Sequence, residues 1–347
     1  MDPKITARWA FDVSKWNPSN KQYKKVLSCV QPEESERIQK FRSFQDSKLA
    51  LIGRLLMRLL FCKIYNCDWK EIKFGRTKEN KPILLKPEYL INNNNRIINF
   101  NISHHGDWVV LVSSDNFLIG VDVTKVEKSN NLSIYQFFEC FKDQFSGYEW
   151  NTITSSYSNE LDQLHLFYRY WCLKESYVKA IGVGLALNLK SIEFHLSNDE
   201  NNNLEFGNIE FSGYEWNTIT SSYSNELDQL HLFYRYWCLK ESYVKAIGVG
   251  LALNLKSIEF HLSNDENNNL EFGNIEILNT KTSLYINNKL SPQWKFEESY
   301  LDELHLVGIS YSISDKNNIS SLLSSPIVNE RFEIIDINEI LQFSKEL

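Results

Sequence analysis

The stretch Trp171-Cys172-Leu173-Lys174-Glu175-Ser176-Tyr177-Val178-Lys179-Ala180, running into Ile181-Gly182-Val183-Gly184, decides how the chain is read. Trp171, Leu173, Tyr177, Val178 and Ile181 recur near helical spacing and Gly182 supplies a stop, which predicts a helix with one face on a core. Glu175 and Lys179 then stand one turn apart on a shared face. A carboxylate beside an ammonium can hold a cation next to a phosphate while the ammonium meets a leaving group. The same pair can equally be a solvated ion pair worth a few tenths of a kcal/mol.

This helix is present twice. Residues 145–210 recur letter for letter as 211–276, an offset of 211 − 145 = 66. Repeat architectures need three or more diverged units with capping ends, so two perfect copies point to a very recent duplication or to an error in assembling the sequence. The second copy carries Trp237-Cys238-Leu239-Lys240-Glu241-Ser242, and with it a rival pair, Glu241 and Lys245. One such helix suffices for one site. The aromatic stripe Tyr148, Trp150, Leu164, Phe167, Tyr168 and Trp171 needs covering. A surplus copy is expected to expose it as an apolar patch and to lower stability.

Upstream, Asn101-Ile102-Ser103-His104-His105-Gly106-Asp107 leads into the apolar run Trp108 to Val112, and Ile119-Gly120-Val121-Asp122-Val123 follows. Asp122 lies 122 − 104 = 18 residues after His104. Ser103 and His104 can both donate to phosphate oxygens, and a histidine beside a dianion is readily held protonated. Asp122 ends an apolar strand and reads either as a strand-end cap or as a hard oxygen ligand. The loop Phe74-Gly75-Arg76-Thr77-Lys78-Glu79-Asn80-Lys81-Pro82 can aim cations and backbone N–H groups at a phosphate. Pro32, with acids behind it, starts a short helix carrying Arg37, by itself a first-turn surface charge. Asp46 to Tyr65 has apolar residues at 49, 52, 55, 56, 59 and 60, a helix with a wide buried stripe, and Arg54 and Arg58 on its polar flank read as solvated.

At 347 residues with 43% hydrophobic content, the chain can bury one large core or two modest ones. A formal net charge of −7 argues against broad nucleic-acid binding, so any phosphate site must be a local cluster of cations. The start, Met1-Asp2-Pro3-Lys4, lacks a signal-peptide core, and no apolar run is long enough to span a membrane; a cytosolic, monomeric protein without nucleic-acid or membrane partners is expected. The six cysteines show neither CxxC spacing nor histidine partners, so reduced thiols and no zinc are expected.

Taken in order, the Ser103-His104 motif, Asp122 and the WxxKES-x₂-KA helix resemble the 4′-phosphopantetheinyl transferases of the larger two-half type, in particular the eukaryotic branch that activates L-aminoadipate-semialdehyde dehydrogenase and fatty acid synthase. The likeness runs from Arg8-Trp9-Ala10-Phe11 to about Tyr311, with a weaker echo from Phe332 to Leu341. It implies an α+β fold of two similar halves related by a pseudo-twofold, here residues 1–121 and 122–325, the latter carrying the 145–210/211–276 duplication, with a strand and tail at 326–347. Its implied activity is transfer of the 4′-phosphopantetheine arm of coenzyme A to a serine of an acyl or peptidyl carrier protein, as in fatty acid or polyketide synthase or aminoadipate reductase. Adenosine 3′,5′-bisphosphate is released.

The resemblance assigns Arg37, Arg76, Thr77, Lys78, Lys81, Asn101, Ser103 and His104, with Glu175 and Lys179, to coenzyme A. It assigns Asp122 and Glu175 to Mg²⁺ and makes Glu175 and Lys179 the catalytic pair. The separation 175 − 122 = 53 suits the family and favours Glu175; Glu241 and Lys245 stay in play because loop-closure entropy grows slowly with insert length. The chain departs from many relatives in having Val123-Thr124 where a third acid stands, so that Thr124 or a water would fill that place, and in having Glu79 in the loop. A non-catalytic coenzyme A binder is the alternative, and an adaptor built on the aromatic repeats a third reading.

Overall fold

The computed structural model describes residues 4–78, 81–91, 97–126, 142–155, 163, 166–167, 170, 174, 189–195, 211–221, 226–249, 255–262, 273–275, 278–312 and 331–347. The helices are α1 (Asn20–Leu27), α2 (Pro32–Ile38), α3 (Phe44–Lys63), α4 (Glu88–Ile91), α5 (Gly147–Ser155), α6 (Gly213–Ser221), α7 (Glu226–Ile247) and α8 (Ile337–Phe343). The strands are β1 (Lys4–Asp12), β2 (Lys73–Arg76), β3 (Pro82–Lys86), β4 (Ile98–His105), β5 (Trp108–Asp115), β6 (Ile119–Lys125), β7 (Ile258–His261), β8 (Leu278–Asn279), β9 (Ser283–Ile286), β10 (Lys289–Leu290), β11 (Trp294–Tyr300), β12 (His305–Ser312) and β13 (Glu333–Ile334). The fold is α+β. No described helix is long and apolar enough to cross a membrane.

Two four-stranded sheets, ordered β13-β1-β5-β4 and β6-β12-β11-β8, lie face to face, each covered on its outer side by one long helix. Central β5 is buried from Trp108 to Ser114, as a strand covered on both sides must be. Val109 and Leu111 join the core under α3, whereas Val110 and Val112 turn the other way to meet Val121, Val123, Val307 and Ile309 of the second sheet. Period-two alternation thus sorts one strand's side chains into two cores. The buried Arg8 and Glu297 join β1 to β11 by a bidentate ion pair, one arm at 2.9 Å.

Helix α3 is packed nearly all round: Leu51, Ile52, Leu55, Leu56, Leu59 and Leu60 are fully buried, and so is Arg58. The solvated reading of Arg54 and Arg58 is therefore overturned. Arg58 donates to the Trp69 carbonyl at 2.7 Å and stacks over the Trp69 ring, while Arg54 pairs with Glu34 at 3.2 Å. Segments 27–31 and 67–74 cover the flank that a simple amphipathic pattern would leave to water.

Helix α7 crosses β6 and β12 at backbone distance because both strands present glycine there. A Cβ on Gly120 would stand 2.1 Å from the Ser242 carbonyl oxygen, and one on Gly308 would stand 3.2 Å from that of Cys238. Ser242 and Ser310 share a hydroxyl contact of 2.6 Å across this interface. The helix docked on the second sheet thus belongs to the second repeat copy.

Both copies close the same local circuit. In the first, Glu149 accepts from the Ser146 N–H at 2.8 Å and pairs with Lys174 at 2.7 Å, while Lys174 donates to the carbonyls of Leu189 and Ile192. In the second, Glu215 accepts from Ser212 at 2.8 Å and pairs with Lys240 at 2.8 Å, while Lys240 donates to Leu255 and Ile258. The expected exposed stripe is corrected in part. Trp150 and Phe167 are buried in a core shared with Phe211, Phe233 and Tyr236 of the second copy, whereas Tyr148 is exposed; Leu164, Tyr168 and Trp171 lie outside the described residues. Cys29, Cys62, Cys67 and Cys238 are free, buried thiols.

Candidate active site

The two sheets are joined at β4 and β6 by side chains in place of a backbone ladder. Asn101 Oδ1 accepts from the Val121 N–H at 3.0 Å, Ser103 Oγ from Val123 at 3.4 Å, and His105 Nδ1 from Lys125 at 3.1 Å. Alternate residues of β4 therefore reach toward alternate amides of β6, and the polar pattern Asn-x-Ser-x-His is what such a seam needs. Sequence reasoning gave Asn101 and Ser103 to the ligand and missed this bridging role. Their spacing of two, opposite the i, i+2, i+4 positions of β6, was the available signal.

Asp122 lies at this seam. Its Oδ1 accepts from Ser103 Oγ at 2.9 Å and from Lys245 Nζ at 2.5 Å, and its Oδ2 accepts from Thr124 Oγ1 at 2.9 Å. Burial alone would raise this carboxyl; the Lys245 ammonium and the Thr124 and Ser103 hydroxyls override that and hold it below the usual carboxylate range. Lys245 also donates to Ser103 Oγ at 2.9 Å. Glu241 lies one turn earlier on α7. Of the rival pairs, the structure brings the second copy's helix to Asp122; Glu175 and Lys179 lie outside the described residues.

Lys81 secures that helix from the other half. Its ammonium donates to the carbonyls of Lys245 at 3.0 Å and Ala246 at 3.3 Å, capping the C-terminal end of α7 just before Gly248, whose φ of +72° turns the chain away. Burial lowers the Lys81 pKa. Thr77 shapes the same loop, its N–H donating to the Lys81 carbonyl at 2.9 Å and its hydroxyl accepting from the Lys81 N–H at 3.2 Å. Lys78 is exposed, and Glu79 lies outside the described residues.

A second group of cations gathers on Glu34. Arg37 and Arg54 reach Oε2 through Nε at 3.1 and 3.2 Å, and Arg76 reaches Oε1 at 3.2 Å. His104 feels both groups. Crowding, then the ammonium of Lys245 and the charges of His105, Arg54 and Arg37, push its imidazole down to about 4 even though solvent reaches the residue. These charges favour the neutral ring. A binding anion has to supply the charge that would protonate it.

These groups form a cationic seam with one buried carboxylate, suited to a phosphate-rich ligand. Among the described residues no three His, Cys, Asp or Glu side chains converge on a metal position. Mg²⁺ takes one or two carboxylates and fills its octahedron with water and substrate phosphates, and Asp122 is one carboxylate at this seam. Lys245 shows the fit, because a cation already stands against Asp122 Oδ1.

Residues 14–116 match the family model described as 4′-phosphopantetheinyl transferase, N-terminal, and residues 118–217 and 205–307 each match that of the 4′-phosphopantetheinyl transferase superfamily. The chain belongs to that superfamily. It is 42% identical over 190 residues to L-aminoadipate-semialdehyde dehydrogenase-phosphopantetheinyl transferase of Mus musculus, covering 55% of this chain and 60% of the relative. It is 35% identical over 201 residues to phosphopantetheinyl transferase of a Thraustochytrium species, covering 57% and 68%, and 30% identical over 182 residues to 4′-phosphopantetheinyl transferase Sfp of Bacillus subtilis, covering 52% and 73%. The matched region spans about 60% of the length of the mouse relative.

Proposed function

We propose that the protein transfers the 4′-phosphopantetheine arm of coenzyme A to a serine hydroxyl of an acyl or peptidyl carrier domain, releasing adenosine 3′,5′-bisphosphate. The observation that carries this reading is the ion pair of Lys245 with Asp122 at the seam of the halves, flanked by His104 and the arginines on Glu34. In the reaction the serine oxygen bonds to the phosphorus bearing the pantetheine. The bond from that phosphorus to the bridging oxygen breaks, and the nucleotide leaves with the electron pair. Glu241 accepts the serine proton, with Glu175 as its rival in the first copy. Lys245, or Lys179 in that rival arrangement, meets the charge developing on the leaving phosphate. Arg37, Arg76, Lys78 and His104 hold the nucleotide end, and Thr77, Lys81, Asn101 and Ser103 keep the cradle in shape. Remote binding of this kind holds the reacting phosphorus still.

Asp122 with Glu241, or with Glu175, would hold Mg²⁺, which when bound neutralises pyrophosphate charge. The relatives' names make the carrier domain of an aminoadipate-semialdehyde dehydrogenase the first acceptor to try. A fatty acid synthase carrier is the second. A monomer working in the cytosol fits this reading. The test is incubation with coenzyme A, Mg²⁺ and an apo carrier domain. A carrier mass gain of one phosphopantetheine group is expected, and intact coenzyme A binding without any gain over hours makes the protein a binder only.

A further inference from the structure

The carboxylate shared by three guanidinium groups is not among the residues the family motifs point to, and neither is the most buried of the three. Arg37 and Arg76 keep 42% and 30% of their side-chain surface, whereas Arg54 keeps 11% and Glu34 15%. The arrangement is layered, with Arg54 behind, Glu34 between, and Arg37 and Arg76 toward solvent. Three guanidinium groups share one carboxylate. Without Glu34 the three cations would repel one another and swing apart.

We infer that Glu34 and Arg54 are positioning residues that hold Arg37 and Arg76 side by side for a nucleotide's terminal phosphate monoester. A guanidinium presents five N–H groups in a rigid fork, so fixing one edge on a carboxylate orients the others. Arg54 is the anchor at the back, lying in the α3 packing with Met57 Sδ 3.9 Å from its Nη1. Glu34 stays ionised, since Arg54, Arg37 and Arg76 together outweigh the effect of its burial. Burial, opposed by Glu34 and aided by Arg76 and Arg37, brings the Arg54 guanidinium down to about 10, so it remains charged at neutral pH.

The inference rests on the proposed nucleotide end of the site, and calorimetric titration of the full chain with adenosine 3′,5′-bisphosphate and with adenosine 5′-monophosphate separates the two. The native protein should prefer the bisphosphate, and Arg37→Ala should abolish that preference; if the native protein shows none, the reading of this end of the site fails and the inference with it. Glu34→Gln and Arg54→Met should each cut the preference about tenfold, the scale of one hydrogen bond to a charged group. Glu34→Asp and Arg54→Lys should restore most of it, and in turnover the loss should fall in KM for coenzyme A and not in kcat. If Arg37→Ala loses the preference while Glu34→Gln and Arg54→Met keep the native ratio, the positioning role alone is overturned. If the variants lower kcat and melting temperature together with no change in ligand ratio, Glu34 and Arg54 are structural only, which overturns it as well.

Discussion

Two identical sequences within one chain end in different surroundings. Ile258–His261 of the second copy is strand β7, paired with β9, and His261 lies between the rings of Tyr214 at 4.0 Å and Tyr285 at 4.3 Å. The same four residues in the first copy, Ile192–His195, form no strand, and His195 contacts Tyr148 at 4.3 Å with 64% of its side chain exposed against 32% for His261. The buried Glu-Lys circuit, by contrast, is alike in both copies. Contacts made within the unit form wherever the unit lies, whereas strand pairing and helix docking need partners that the chain supplies once. Strand formation depends on its neighbours.

The sharpest way to break this comparison is at the site. Lys245→Ala is expected to lower transferase turnover by about a hundredfold or more, the scale of one preorganised charge at a reacting phosphate. Lys179→Ala should cost little, measured as initial rates with a fixed carrier domain. The reverse result would place the first copy's helix on Asp122 in the working enzyme.

The buried circuits come next. Breaking a buried ion pair by removing one partner costs about 3–5 kcal/mol, so Lys240→Met and Lys174→Met should both lower the urea midpoint. Only Lys240→Met should also lower activity, because its circuit supports the end of α7 that carries Lys245. Equal activity losses would show that the two copies act as one unit.

His104 gives a smaller, site-specific signal. The free imidazole should titrate by NMR near pH 4, below the ordinary histidine value, with the neutral form favoured in the folded chain. Folding stability from this group is present above about pH 6.5 and declines as pH falls toward 4. Saturation with adenosine 3′,5′-bisphosphate should raise the midpoint. An unchanged midpoint would remove His104 from the anion's surroundings.

The smallest effect should come from removing one copy. Because the copies are identical, deleting 145–210 or 211–276 yields the same chain of 347 − 66 = 281 residues. It is expected to keep transferase activity and to melt within about 4 °C of the full chain, since the first copy's Trp150 and Phe167 are covered and not left as an aggregating patch. Loss of activity would make the duplication functional.

Much of the site was legible from residue order alone. Ser103, Asp122 and the lysine of a Glu-x₃-Lys segment come together as the order of the motifs implies, although the spacing to Asp122 favours Lys179 and it is Lys245 that arrives. Arg54 and Arg58 were misread because periodicity shows which side of a helix is apolar, not what a later loop lays over the other side. Glu34 was unreadable as the hub of three arginines, since Arg54 and Arg76 reach it from α3 and β2, and only folding makes them neighbours.

By itself, the sequence determined the family, the mixed helix and strand content and the presence of a second identical segment. Tertiary structure decided which copy docks, because Gly120 and Gly308 create one close-approach surface and one helix fills it. It also decided that Lys81 caps α7 from the other half and that Asn101 and Ser103 hold the sheets together. Identity is local information, but which of two identical segments occupies a single place depends on packing and connection across the whole chain.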